Sequence, residues 1–299
     1  MVAAFTFIVI IGGIKRIGKI ASMLVPFMSV IFIVMSLIIV AINITAIPET
    51  FKLIFSSMFS AKAVAGGAGG FVFSQIIKKG MSRGVFSNEA GLGSSVIAHS
   101  ASETREPVKQ GLWGIFEVFF DTFVICTLTA LVVLTTNIHN GVYFTEGFWA
   151  MEDAAVSLGA FVTNLGFVGK YAFIIILPLF AFTTILAWSY YGEKATEFCF
   201  QWLGDKGKKV AVVVFKIIYI ALIVAAAAIH SDLIWALDDT FNGLMALPNL
   251  VAVVLLSGQI VKITKNYYDR KKGKDVEPML SAYPEQNKQF IEDLKRQEK

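Results

Sequence analysis

Charged residues are scarce in this chain of 299 residues, at 16% of the sequence. A soluble globular domain carries about 25%, and a disordered chain combines low hydrophobicity with high net charge. Here 56% of the residues are hydrophobic, Phe alone accounts for 26, and the net charge is only +4. The composition excludes both classes. It predicts an all-α membrane protein with about six or seven crossings, at roughly 20 apolar residues each.

Cysteine and catalytic motifs are equally scarce. The two cysteines, Cys126 and Cys199, fit no CxxC spacing, so we expect free thiols. The three histidines, His99, His139 and His230, show no metal-ligand spacing, and no HExxH, GxSxG or P-loop motif occurs. These absences argue against an enzyme and against an organic cofactor.

Long charge-free runs mark the predicted membrane crossings. The first run, residues 1–12, has no basic residue before it and predicts the end of a transmembrane helix rather than a signal peptide. We predict a transmembrane domain over residues 1–265 and a polar cytoplasmic tail over 266–299. The complete crossings are predicted at about 22–45, 67–101 (discontinuous), 111–136, 171–192, 210–230 and 240–264.

Lys and Arg are distributed unevenly between the loops. With the loop at residues 12–19 in the cytoplasm, six crossings place fifteen of them inside and only Lys52, Lys62 and Lys170 outside. Because cytoplasmic loops are enriched in these residues, the sequence predicts a multi-pass protein of the plasma (inner) membrane with a cytoplasmic C-terminus. The basic residues follow the loops, which indicates the lipid bilayer and not nucleic acid as partner.

One predicted crossing, within residues 62–101, is interrupted by glycines and by basic residues such as Lys78 and Arg83. Irregular backbone at membrane depth occurs where protein buries it or where it lines an aqueous cavity. Gly91 and Gly93 permit backbone conformations that other residues resist. Unwinding there would expose N–H groups that attract a carboxylate and C=O groups that coordinate Na⁺. The alternative is a packing face of small residues between helices.

Two carboxylates, Glu117 and Asp121, lie four residues apart in the predicted crossing 111–136, and therefore on one face of a helix. Ionisable residues inside a membrane are functional candidates. The candidate roles are an ion ligand, a proton site or the partner of Arg83. The alternative is a structural ion pair, or a position near the cytoplasmic start of the helix.

Adjacent hydroxyl groups, Thr183 and Thr184, lie in the charge-free crossing 171–192. Hard cations prefer oxygen ligands, so both are candidate ligands of Na⁺. The alternative is a hydrogen bond from each hydroxyl to its own helix. Before the last crossing, Pro248 and Asn249 predict either a kinked gate or a plain interfacial loop with a kink.

Five segments of unusual composition occur in order along the chain. They are GGIKRIGKIASMLVPFMSV, SRGVFSNEAGLGSSVIAHSASETREPVKQGL, FFDTFVICTLTALVVL, LFAFTTILAWSYYGE and FNGLMALPNL. Together they resemble the sodium:alanine (alanine or glycine:cation) symporter family of the amino acid–polyamine–organocation superfamily. The second segment is the most specific, and the resemblance covers about residues 5–265.

The resemblance implies a leucine-transporter-like fold, in which two inverted repeats of five helices surround a central site. This chain would hold the second repeat and part of the first. Residues 23–45 would open the second repeat, and 67–101 would be its discontinuous helix. The residues implied near the amino acid are Phe86, Ser87, Asn88, Glu89, Gly91, Gly93 and, as a nearby wall, Trp188. Those implied near the sodium ion are Ala181 (through its carbonyl), Thr183 and Thr184.

The resemblance also implies a function, the sodium-coupled symport of a small neutral amino acid, alanine or glycine. Na⁺ would be the coupling ion. Because family members are considerably longer, we expect the chain to lack an N-terminal part that supplies half of each binding site. Two alternatives stay open. One is an inactive fragment or partner-dependent half-transporter, and the other is a proton-coupled amino acid carrier that uses Glu117 or Asp121.

Overall fold

A computed structural model of the chain describes residues 2–58, 69–140, 154–229 and 231–297. These residues form helices and no strand. In chain order the α-helices are α1 (Val2–Ile10), α2 (Gly13–Ile42), α3 (Ile47–Met58), α4 (Gly69–Asn88), α5 (Ser95–His99), α6 (Pro107–Phe119), α7 (Thr127–Asn140), α8 (Ala154–Cys199), α9 (Gly204–Ala226), α10 (Ser231–Lys271) and α11 (Pro284–Gln297). A π-helical segment, Phe120–Cys126, joins α6 to α7.

Five helices of the described part are long and apolar enough to cross a membrane. They are Gly13–Ile42, Pro107–His139, Ala154–Cys199, Gln201–Ala226 and Ser231–Lys271. Together with the absence of strands from the described residues, they confirm the prediction of an all-α, multi-pass membrane protein. The segment predicted as a discontinuous crossing, 67–101, is not among the five. Its main helix, α4, carries three basic residues within 20, which lowers its hydropathy.

The chain divides into two compact units. The first comprises Met1–Arg83 and Asp121–His230, and the second comprises Gly84–Phe120 and Ser231–Lys299. Residues 59–68, 141–153 and 230 lie outside the described part. Parts of the predicted crossings 67–101 and 210–230 therefore lie outside it.

Aromatic side chains from α2 and α8 form the centre of the first unit. The ring of Phe32 stacks on that of Phe161 at a centroid distance of 5.9 Å, and Phe161 meets Phe173 at 5.0 Å. All three side chains are buried, as is Val132 of α7. Since lipid tails are as apolar as these side chains, close packing rather than escape from water holds such helices together.

Helix α8 is broken at Gly166, whose φ of 56° and ψ of −130° are not helical. Glycine adopts a positive φ at little cost because it has no Cβ. Three residues later, Gly169 lies so close to the Phe161 carbonyl that any side chain would collide with it. The stretch 154–165 therefore folds back against the start of the longer stretch 167–199.

A partly buried ion pair joins α8 to α9. Lys216 Nζ lies 2.9 Å from Glu193 Oε2, and the two side chains are only 20% and 16% exposed. The hydroxyl of Tyr219 donates to the Ile185 carbonyl at 2.8 Å. Pairing explains how a lysine is accommodated in a crossing that otherwise carries no charge, since a charge in the membrane needs a partner.

In the second unit the C-terminal tail packs against the rest. Arg270 forms two parallel hydrogen bonds with the carboxylate of Glu106, at 2.7 and 3.0 Å. Asn266 Oδ1 accepts from the Met279 backbone N–H at 2.9 Å, and Asn287 Oδ1 accepts from the Leu280 N–H at 2.6 Å. Two tail side chains are buried, namely Leu280 and Ile291. The polar tail is therefore folded within this unit.

Candidate functional site

The strongest candidate site is the unwound segment Glu89–Ser94 between α4 and α5, in the second unit. Gly91 and Gly93 have φ values of +87° and +81°, which suit a residue without a Cβ. Glu89 has a φ of +53° and is the one non-glycine residue with a positive φ in the described part. A side chain in this conformation costs about 1–2 kcal/mol. Such strain is concentrated at functional sites.

Local side-chain contacts hold this segment in shape. The Asn88 amide oxygen accepts from the Ala90 N–H at 3.0 Å, which forms a turn typical of asparagine. The Ser94 hydroxyl donates to Glu89 Oε2 at 2.7 Å, and Ser94 is buried. The Leu92 N–H donates to the Glu89 carbonyl at 3.2 Å. Glu89 therefore accepts through both its backbone and its side chain, which offsets its strained conformation.

Asn249 of α10, a residue distant in sequence, forms a hydrogen bond with the centre of the segment. Its Nδ2 donates to the Gly91 carbonyl at 2.9 Å across 158 residues of sequence. A Cβ on Gly93 would lie 2.7 Å from Asn249 Oδ1, so only glycine fits there without movement. From the sequence, Asn249 was a candidate because it follows Pro248, but its contact with the glycines was not predicted. Pro248 lies within α10 and not in a loop.

The ends of the two flanking helices determine what this segment can bind. The last carbonyls of α4 and the first N–H groups of α5 lack partners within their helices. Carbonyl ends attract cations, and N–H ends attract anions. A zwitterion such as an amino acid carries both charges. Phe86 lies in the last turn of α4, and its ring contacts Trp235 edge to face at a centroid distance of 5.5 Å.

Of the two predicted carboxylates, Glu117 has a partner in the second unit. Its Oε2 lies 3.2 Å from His99 Nε2. The other ring nitrogen, Nδ1, lies 2.7 Å from Gln110 Nε2, and Ser102 Oγ donates to Gln110 Oε1 at 2.9 Å. If the Gln110 amide donates to Nδ1, then Nε2 carries the ring proton and donates it to Glu117. Ser102, Gln110, His99 and Glu117 therefore form a chain of four polar side chains.

A cavity of about 530 Å³ lies beside this chain of polar groups. Its walls include Val96, His99, Gln110 and the tail residues Leu280 and Phe290. His99 therefore contacts the carboxylate of Glu117 and also lines this cavity, together with residues of the tail. Asp121 belongs to the π-helical segment and to the first unit, whereas Glu117 belongs to α6 and to the second unit.

The residues implied as sodium ligands lie in the first unit, on α8. The hydroxyl of Thr183 lies 3.0 Å from the Phe180 carbonyl and 3.2 Å from that of Leu179, and the Thr184 hydroxyl donates to Phe180 at 3.0 Å. These bonds use the protons and leave lone pairs on both oxygens. Ala181 is exposed on the same helix. Trp188 contacts Tyr191 edge to face, with a centroid distance of 5.6 Å.

Comparison with known proteins places the chain in one family. The model of the sodium:alanine symporter family matches residues 1–281. Relatives include the sodium/alanine symporter AgcS of Methanococcus maripaludis, 39% identical over 281 residues. Another is the sodium/proton-dependent alanine carrier protein of Bacillus sp. (strain PS3), 34% identical over 292 residues. The probable sodium/glutamine symporter GlnT of Bacillus subtilis is 37% identical over 270 residues.

The matches cover nearly all of this chain but only part of each relative. They take in 91%, 95% and 89% of the chain, against 56%, 64% and 52% of the three relatives. The chain therefore spans a little over half the length of the curated relatives that it matches. With a family model covering all but its last eighteen residues, the chain belongs to the sodium:alanine symporter family.

Proposed function

We propose that the whole protein is a secondary active transporter that couples Na⁺ entry to the uptake of a small neutral amino acid, alanine or glycine. The observation that carries this proposal is the unwound segment Glu89–Ser94. The backbone here is not helical, as its positive φ values show. Two hydrogen bonds stabilise this conformation, one from Ser94 to Glu89 and one from Asn249 to Gly91. A backbone released from helical bonding offers N–H groups to a carboxylate and C=O groups to a cation.

The proposed architecture is a leucine-transporter-like inverted repeat, to which this chain contributes the second repeat and part of the first. In such folds, discontinuous helices bind the substrate and coupling ion near the midplane. Support comes from the break between α4 and α5 and from the lone pairs on Thr183 and Thr184. In this proposal the residues that approach the amino acid are Phe86, Ser87, Asn88, Glu89, Gly91 and Gly93. The residues that approach the ion are Ala181, Thr183 and Thr184.

Uptake of radiolabelled alanine into proteoliposomes tests this function. The chain is reconstituted alone and, in parallel, fused to the part of the Methanococcus maripaludis symporter that it does not match. We expect uptake by the fused protein when an inward Na⁺ gradient is applied. Equal uptake when choline replaces Na⁺ would refute the coupling. Competition by unlabelled alanine, glycine and glutamine determines which substrate is preferred.

Proton coupling is a second candidate, favoured by the contact between His99 and Glu117 at 3.2 Å. A histidine paired with a carboxylate suits a proton site. The sodium/proton-dependent alanine carrier of Bacillus sp. (strain PS3) is a relative whose printed name includes the proton. This candidate predicts uptake driven by an inward pH gradient without Na⁺, and its loss in Glu117→Gln. Uptake that needs Na⁺ at every pH would exclude it.

We also propose that the C-terminus lies in the cytoplasm of a cell whose inner membrane holds the protein. Support comes from the excess of Lys and Arg on the predicted cytoplasmic side. A C-terminal fusion to a fluorescent protein that matures only in the cytoplasm should fluoresce, whereas a C-terminal alkaline phosphatase should be inactive. The opposite pair of results would reverse the orientation.

A further inference from the structure

Two buried amide oxygens of the first unit have no hydrogen-bond partner among the described residues. They are Asn43 Oδ1, at the end of α2, and Asn137 Oδ1, in α7. The exposed fractions of the two residues are 0% and 3%. Buried polar groups in folded proteins nearly always have a partner, and one without a protein partner is typically satisfied by a water molecule or an ion. Each oxygen is therefore a position that a ligand would satisfy.

A chain of hydrogen bonds fixes the orientation of the Asn43 amide. Asn164 Nδ2 donates to the Ala160 carbonyl at 2.8 Å, and that carbonyl can only accept. The oxygen of the Asn164 amide must then point the other way, where it accepts from Asn43 Nδ2 at 2.6 Å. The same Nδ2 donates to the Ile39 carbonyl at 3.0 Å. Exchanging the oxygen and nitrogen of Asn43 would break both bonds, so its Oδ1 is the atom left over.

The same cluster links three helices near their C-terminal ends. Asn43 follows α2 directly, and Asn164 lies two residues before the break at Gly166. Asn164 Nδ2 also donates to Thr136 Oγ1 in the last turns of α7, at 2.7 Å. Helix C-termini carry unpaired carbonyls and about half a negative charge each. The cluster thus lies where a positive charge is stabilised.

Two further threonines, in the helices α3 and α7 that pack against each other, are also fully buried. The hydroxyl of Thr135 donates to the Leu131 carbonyl, and that of Thr50 donates to the Ala46 carbonyl. Each hydroxyl donates its proton to a nearby carbonyl and keeps lone pairs on its oxygen. The side-chain donors of Asn43, Asn164 and these threonines are therefore used, and neutral oxygen acceptors remain.

Asn137 follows Thr136 in α7, and α7 packs against the turn Ile44–Ala46 that follows Asn43. We propose that this region of the first unit is a binding site for a monovalent cation, Na⁺, with the amide oxygens of Asn43 and Asn137 as ligands. Neutral oxygens suit a singly charged hard cation, whereas Ca²⁺ and Mg²⁺ sites are typically built with carboxylates. The site is distinct from Thr183 and Thr184, which lie further along α8. The bound ion would join α2, α7 and α8 and would stabilise the first unit.

Thermal unfolding of the purified chain in lipid nanodiscs tests the site, with Na⁺ itself as the probe. N-methylglucamine replaces Na⁺ so that the ionic strength stays constant. At ten times the dissociation constant, the expected rise in Tm is roughly 3–6 °C. Asn137→Leu removes one ligand and should abolish the rise. Asn137→Asp adds a charge and should produce the same rise at about tenfold lower Na⁺.

Two controls separate this site from the one proposed for transport. Asn242→Leu changes an asparagine that contacts Asp238 in the second unit, and should keep the Na⁺-dependent rise. Thr183→Val with Thr184→Val should keep it as well, whatever its effect on uptake. The proposal is overturned if Na⁺ produces no rise in the unaltered chain, as expected of a water site. It is equally overturned if the threonine variant loses the rise while Asn137→Leu retains it.

Discussion

Asn249 donates to the carbonyl of Gly91 over 2.9 Å and so connects the middle of α10 to the unwound segment. The same side chain occupies the space beside Gly93 that a Cβ would need. One asparagine therefore both supports the open backbone and restricts the residue two positions further on. Polar bonds of this kind between membrane helices hold irregular backbone in place.

The first prediction concerns Gly93→Ala in the fused transporter. Its φ of +81° penalises any side chain by about 1–2 kcal/mol, and the new methyl group would press on Asn249. We expect a loss of about tenfold in uptake rate. Gly258→Ala is the matched control, since nothing lies within 4 Å of a Cβ at that position of α10. Equal uptake by the two variants would contradict the role of Gly93.

A second prediction is that Gly93 and Asn249 are energetically coupled. Asn249→Ala removes the bond to Gly91 and should lower uptake, but it also makes room for a methyl group on Gly93. The double variant should therefore lose less than the two single variants together, by 0.5–3 kcal/mol in a double-mutant cycle, the range typical of residues in contact. Strict additivity would show that the contact has no energetic role. Asn242→Ala, paired with Gly93→Ala, is the uncoupled control.

The third prediction concerns the ion pair of Glu193 and Lys216, which are 16% and 20% exposed. Removing one partner of a fully buried pair costs about 3–5 kcal/mol, whereas replacing both can be nearly neutral; for this partly buried pair we expect a smaller cost. Glu193→Gln should therefore lower the Tm of the purified chain, and adding Lys216→Met should restore most of it. Asp205→Asn is the control. It removes the partner of Lys208, but Asp205 is 93% exposed, and little change is expected.

A fourth prediction concerns the tail. Arg270 holds Glu106 with two hydrogen bonds and donates through Nε to Asn266, which accepts from the Met279 N–H. Glu106→Gln weakens a charge-assisted contact by about 1.5–3 kcal/mol. Backbone hydrogen exchange at Met279 and Leu280 should become at least tenfold faster. Asp269→Asn, which removes only the exposed contact with Lys274, should leave exchange unchanged; equal acceleration would show that Glu106 does not anchor the tail.

Sequence patterns predicted the parts of this protein that depend on local composition. The all-α membrane class follows from charge-free runs, and the helix break at Glu89–Ser94 falls where glycines predicted unwinding. The pairing of Asn249 with Gly91 could not be predicted, because the partners are 158 residues apart and either could have met another group. The same is true of Asn43 and Asn164, which are 121 residues apart.

The fold of the tail is a further feature that sequence patterns do not predict. Its polar composition resembles that of a solvated extension, yet Asn266 and Asn287 each satisfy backbone groups of the connecting stretch. These bonds depend on where α10 ends and α11 begins, and not on hydropathy. The resemblance also implied residues near the amino acid and near the sodium ion. Their roles in transport stay predictions, which the uptake experiments test.

The π-helical segment Phe120–Cys126 has a consequence for the length of its membrane helix. A hydrogen bond from residue i to i+5 encloses one residue more than the α-helical bond from i to i+4. This stretch of seven residues can therefore hold one residue more than an α-helical stretch with the same number of turns. In an alignment of relatives, we expect a single-residue gap here. Among length changes in this crossing, deletion of one of these seven residues should be the best tolerated.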